Sequence, residues 1–129
     1  MVITSTTNRI FRRVSELRAQ GIDAEGVVAD LTDQGGVDAV VACALDAFGG
    51  VDILVNNAGM TAVSGSYASG AAGRLSLDHW HASLDRNLMT TFLMTRAVVR
   101  LMQAAGYGRI VNVSSVSGPG GGGGGGGGR

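Results

Sequence analysis

Lysine is absent from this 129-residue chain; ten arginines supply its basic side chains and balance ten aspartates and glutamates. A formal charge of zero leaves no basic footprint of the kind that selects nucleic acids or anionic membrane surfaces, so neither is expected as a partner. No apolar run reaches the roughly 18 residues that span a bilayer, and Met1-Val2-Ile3-Thr4-Ser5 does not open a basic-then-apolar leader. A cytoplasmic protein is expected. The lone Cys43 can close no internal disulfide and has no second thiol or histidine cluster with which to share a metal, so it reads as a small buried apolar residue. Aromatics make up only 5% of the chain, but 45% is apolar and 16% charged, the balance of one globular domain rather than a disordered or fibrous segment.

Glycine is missing before Gly21 and then crowds the other end, where residues 118–129 consist of glycine, Pro119 and Arg129. With no side chains to bury and the largest backbone entropy to lose, 118–129 is expected to be a disordered tail, leaving 1–117 as the part that folds.

Strand and helix signals alternate through residues 1–117. Val2 and Ile3, with Thr4 to Thr7, have the β-branched content of a strand. Asn8 is a candidate cap for a helix to Gln20 with one apolar stripe of Ile10, Val14 and Leu17, ended by Gly21. Gly26 to Asp30 reads as a buried strand. Thr32 or Asp33 then caps a helix whose apolar residues, from Val37 to Phe48, recur at helical spacing as far as Gly49-Gly50. Val51 to Val55 is a third strand, running into Asn56-Asn57-Ala58-Gly59 and a long small-residue loop to Leu75. Ser76 caps one helical region reaching Gly106, with Trp80 as an apolar anchor, and Arg109 to Val113 is a fourth strand closing on Ser114-Ser115. Such alternation calls for an α/β fold, a parallel sheet with helices on both faces. His79 and His81 flank Trp80, but helical neighbours two apart share no face and no third ligand accompanies them, so no metal is expected.

Asn56-Asn57-Ala58-Gly59 after an apolar strand resembles the short-chain dehydrogenase/reductase family. So do Asp30-Leu31 at the preceding strand end, Asp85-Arg86-Asn87-Leu88 on the long helix, and Ile110 to Gly118 with its Asn-Val-Ser-Ser core. All four elements stand in the family's order, and within the family the wording is nearest to bacterial 3-oxoacyl-[acyl-carrier-protein] reductase-like members. The resemblance implies a Rossmann-like, doubly wound parallel sheet binding NAD(P), and hydride transfer between nicotinamide and a small carbonyl or alcohol substrate.

Residue by residue, it implies that Ser115 orients the substrate oxygen and that the Asn87 carbonyl holds a water leading to a catalytic lysine. It puts Asp30 on the adenine amine, Leu31 against the ring, and Asn56, Ala58 and Gly59 at the ribose and nicotinamide side, while Asn57 stitches neighbouring strands. Asp30 also admits a plainer reading, as the cap of the next helix. Thr6 and Arg9 follow the first strand where an acid would select the 2′-hydroxyl of NAD; hydroxyls and a cation there favour NADP. For the helix from Leu88 to Met102 the resemblance implies packing on the sheet and a surface that joins a second subunit; an exposed apolar stripe there reads as that interface or as an aggregation hazard, and a covered one simply as core.

Two of the family's motifs are absent: the glycine-rich turn that cradles pyrophosphate, and Tyr-x-x-x-Lys. The chain therefore reads as a partial domain lacking the fold's first strand and its C-terminal part, an enzyme segment inactive by itself. The alternatives are a noncatalytic interaction module and a truncated, non-functional product. Without that first strand the strands at Val2 and Val51 either pair directly or leave the sheet split in two, with Val27, Ile53, Leu54 and Ile110 incompletely covered.

Overall fold

A computed structural model describes residues 1–58 and 76–114. Strand β1 (Val2–Ser5) leads to helix α1 (Arg9–Ala19), β2 (Glu25–Val28), α2 (Gln34–Phe48) and β3 (Ile53–Asn56). After residue 75 come α3 (Leu77–Leu84), a π-helical segment (Asp85–Met89), α4 (Thr90–Ala105) and β4 (Arg109–Asn112). This is a partial α/β fold with parallel strands.

The helix ends follow from local chemistry. At α1, Ile22 N–H reaches back to the Leu17 carbonyl and Gly21 N–H to that of Arg18, a paired closure requiring the left-handed φ of +80° that Gly21 adopts without penalty. Gly106 closes α4 in the same way, with Tyr107 N–H on Met102 and its own N–H on Gln103. Asn8 stands at the start of α1 in a helical conformation and makes no side-chain cap. Periodicity foretold one helix from Ser76; the structure breaks it at Asp85–Met89, because a π turn keeps the helical direction and leaves the apolar spacing almost unaltered.

The sheet is split. β1 pairs in parallel with β2, Val2 opposite Glu25 through Ser5 opposite Val28, and β3 pairs in parallel with β4, Ile53 opposite Arg109 through Asn56 opposite Asn112. No ladder joins β1 to β3. Helix α1 covers one face of the first pair, where Val14 Cγ2 lies so near Gly26 that a Cβ there would stand 2.7 Å from it. Helix α2 packs on the opposite face of that pair and α4 packs on β3 and on α2; their Val37, Val40, Leu93, Met94, Val98 and Met102 build the core with Ala29, Leu31 and Leu54. Leu54 is thus well buried, contrary to expectation. Its neighbours Ile53 (59% exposed) and Val55 (55%) point to the face that no described helix covers, and Ile110 is also exposed. Trp80, expected as an apolar anchor, lies half exposed on α3. Cys43 is only part-buried; burial, with the charges of Glu25 and Asp46, pushes its thiol above the ordinary range and keeps it protonated. No helix among the described residues is long and apolar enough to cross a membrane.

Candidate active site at the strand carboxyl ends

The first half of the site follows β1 and β2. Past β1, Thr7 N–H donates to Ser5 Oγ at 3.4 Å, and the exposed Thr6 and Arg9 lie on this turn and at the first residue of α1. Past β2, the exposed Asp30 folds a tight turn, its Oδ1 accepting from Thr32 N–H at 2.9 Å and from the Thr32 hydroxyl at 2.7 Å. The helix cap falls to Asp33, which accepts from Gly35 N–H at 2.5 Å and Gly36 N–H at 3.4 Å. That corrects the plainer reading of Asp30. Helix α2 begins so close to Asp30 that a Cβ on Gly36 would stand 1.9 Å from the Asp30 carbonyl oxygen, a contact only glycine permits. Leu31, which the resemblance placed against an adenine ring, is 8% exposed, packs in the core cluster with Val37 and Val40, and also lines the cleft beside β3.

Past β3 and β4 the roles of the two asparagines are exchanged. Asn56 is the stitch: 9% exposed, its Nδ2 donates to Asn112 Oδ1 at 2.9 Å and to Thr95 Oγ1 at 3.1 Å, tying β3 to β4 and both to α4. Asn57, expected to do this, is exposed, with its N–H turned back to the Val55 carbonyl at 3.2 Å. A side chain entering the α4 face of β3 must alternate with Val55 and follow Leu54 by two, which selects Asn56. Both hydrogens of its Nδ2 are thereby engaged within the fold. Ala58 is exposed at the turn, and Gly59 and Ser115 lie outside the described residues, as does the tail. Sequence reasoning quoted Asn112 without a role and missed Thr95; the latter gave no signal, being one hydroxyl among several on α4.

Replacing Asn56 by Ala should destabilise the fold by about 1–3 kcal/mol, since it removes two hydrogen bonds of a buried amide, to Asn112 Oδ1 and Thr95 Oγ1, each worth about 0.5–1.5 kcal/mol. Asn57→Ala should change stability by less than about 0.5 kcal/mol. Urea denaturation of the two variants checks the ordering.

Asn87 lies exposed in the π-helical segment, where its carbonyl accepts from the Thr91 hydroxyl at 3.3 Å. Segments of this kind loosen the regular carbonyl ladder and are frequent at functional sites. Thr90 and Thr91, just beyond it, share a cleft with Leu31, Asn56 and Ala58, so the ends of β2 and β3 and the start of α4 converge. Among the described residues no group of three His, Cys, Asp or Glu could hold a metal.

This geometry agrees with the comparisons with known proteins. Residues 1–126 match the family model described as short chain dehydrogenase. The chain is 43% identical over 102 residues to the (2S)-[(R)-hydroxy(phenyl)methyl]succinyl-CoA dehydrogenase subunit BbsD of Thauera aromatica, covering 79% of this chain and 39% of that protein. It is 39% identical over 105 residues to the 3-oxoacyl-[acyl-carrier-protein] reductase of Synechocystis, covering 81% and 40%. A crystal structure of a protein described as a short-chain dehydrogenase/reductase from Burkholderia xenovorans superposes with a TM-score of 0.75 at 32% identity, covering 88% of this chain and 43% of that one. The chain spans about two fifths of the length of these relatives. With the parallel strands, the polar turns at their carboxyl ends and the match along nearly all its length, the chain belongs to the short-chain dehydrogenase/reductase family.

Proposed function

We propose that the chain forms part of an NAD(P)-dependent oxidoreductase acting on a small carbonyl or alcohol substrate. The observation that carries this reading is that the turns holding the exposed Thr6, Asp30 and Ala58 all follow the carboxyl ends of parallel strands, the place where open parallel sheets bind ligands. Asp30 would accept from the adenine amine through its exposed carboxylate. The backbone of Asn56, together with Ala58 and Gly59, would face the ribose and nicotinamide side, where small side chains allow close approach. Asn87 would hold a water at its backbone carbonyl, and Ser115 would hold the substrate oxygen. A bound nicotinamide supplies or accepts the hydride.

These residues fit the two ends of a dinucleotide. The family's glycine-rich turn, which would cradle the pyrophosphate between them, is not among these 129 residues. NADP is the preferred form on this reading, with Thr6 and Arg9 beside the 2′-phosphate. The exposed stripe of Leu88 and Phe92, the latter under the Arg96 guanidinium at 5.3 Å, would join a second subunit.

Arg9→Glu tests the cofactor assignment. Removing one charge-assisted phosphate contact costs about 1.5–3 kcal/mol, so the ratio of NADPH to NADH affinity should fall by about tenfold or more. An unchanged ratio in competition titrations would remove Arg9 from the site.

A further inference from the structure

Helices α2 and α4 leave a groove of about 600 Å³ between them, which shares only Val41 with the cleft beside β3. Its polar side chains are linked through an amide. Arg96 Nη2 donates to Gln34 Oε1 at 2.6 Å and Gln34 Nε2 donates to Asp38 Oδ1 at 2.7 Å, so Gln34 stands between a cation of α4 and an anion of α2 that make no direct ion pair. The Arg96 guanidinium also lies over the Phe92 ring at 5.3 Å, which helps to fix its place. One turn further along α4, Arg100 lines the same groove and makes no hydrogen bond or ion pair among the described residues. Beneath these groups the groove is apolar, with Val41, Ala42 and Leu45 on α2 and Ala97 on α4.

We propose that this groove binds an amphoteric small molecule, of the class of a free α-amino acid with an apolar side chain. Arg96 and Arg100 are four apart on one helix and so neighbours on its surface, where their forked donors flank a carboxylate. Asp38 keeps a carboxylate oxygen beyond the one that accepts from Gln34, and the ligand's ammonium is its donor. The apolar floor takes the side chain. Asp38 sets the groove against phosphate and other polyanions, because a like charge opposes them, and the two arginines set it against a simple cation. Cation, anion and apolar floor together select a ligand that carries all of their complements. Gln34, Asp38, Arg96 and Arg100 are exposed, so water and salt screen them and affinity is modest. The site is independent of the dinucleotide reading, and it stands whether or not the chain holds a nicotinamide.

The test is a titration of L-leucine into the isotopically labelled 129-residue chain, read by backbone amide shifts and by the arginine Nε–H signals. The expected result is saturable shifts at Asp38, Ala42, Ala97 and Arg100, with a Kd on the order of 1 mM. Isocaproate, which is leucine without its ammonium, and isoamylamine, which is leucine without its carboxylate, should each bind about tenfold more weakly, since each loses a charge-assisted contact. Asp38→Asn should abolish the preference for leucine over isocaproate, and Arg100→Gln should weaken leucine by about tenfold. The comparison of the three ligands on the unaltered chain decides the question without either variant. Absence of saturable shifts in the groove, or equal affinity for isocaproate or isoamylamine, would overturn the proposal. So would inorganic phosphate binding as tightly as leucine at Arg96 and Arg100, which would make the groove a general anion site.

Discussion

Assayed by itself, the 129-residue chain should couple NADPH oxidation to carbonyl reduction at least roughly 100- to 10,000-fold more slowly than a complete relative, the range that a positioned proton donor contributes. The family's proton passes through a tyrosine whose partner is a lysine, and this sequence holds no lysine. Of its two tyrosines, Tyr67 lies outside the described residues. Tyr107 is at the wrong end. It precedes β4, with its N–H on the Met102 carbonyl and its ring under the Arg109 guanidinium at 4.9 Å. The candidate site is past the other end of that strand, and four residues at about 3.3 Å each put roughly 13 Å between them, far beyond hydrogen-bond reach. NADPH oxidation at a relative's rate, abolished by Ser115→Ala, would show that another group carries the proton.

The second large effect is on affinity. A dinucleotide touching Asp30 and the Asn56-to-Gly59 turn, but no pyrophosphate cradle, forgoes at least two charge-assisted backbone contacts of about 1.5 kcal/mol or more each. About 3 kcal/mol is a factor of roughly 100 in Kd, so calorimetric titration should find NADPH and NADH bound in the high-micromolar range or weaker. A low-micromolar constant for either would mean that the chain holds phosphate elsewhere. Arg96 and Arg100, beside Gln34 on the α2–α4 groove, would then be the first place to look.

What the sequence disclosed was whatever rests on local backbone chemistry or on ordered motifs. Gly21 and Gly106 announce helix ends because their left-handed closure is written in one residue, and β-branched runs mark the four strands because each is short and apolar. Two outcomes for the sheet were equally consistent with that pattern, since strand pairing is decided by what lies between β1 and β3 rather than by either strand. The exchange of Asn56 and Asn57 was hidden for a related reason. Two adjacent asparagines look alike in sequence, and only the side on which α4 packs decides which amide is buried. Leu31 shows the same limit: its identity fits an adenine contact and a core position equally, and only the packing of α2 reveals that it joins the core cluster while lining the cleft. The π turn around Asn87 left no trace at all, because a single wide turn shifts the apolar period too little to notice.

Backbone amide shifts recorded while NADPH is added to the isotopically labelled 129-residue chain test the central claim most directly, since they locate a ligand even when it binds weakly. The account predicts perturbations at Ser5 to Arg9, Ala29 to Thr32 and Asn56 to Ala58, the carboxyl ends of β1, β2 and β3, with smaller ones at Val113 and Ser114. Shifts centred instead on Met1, Glu25, Asp52 and Arg109, at the amino ends of the same strands, would contradict it.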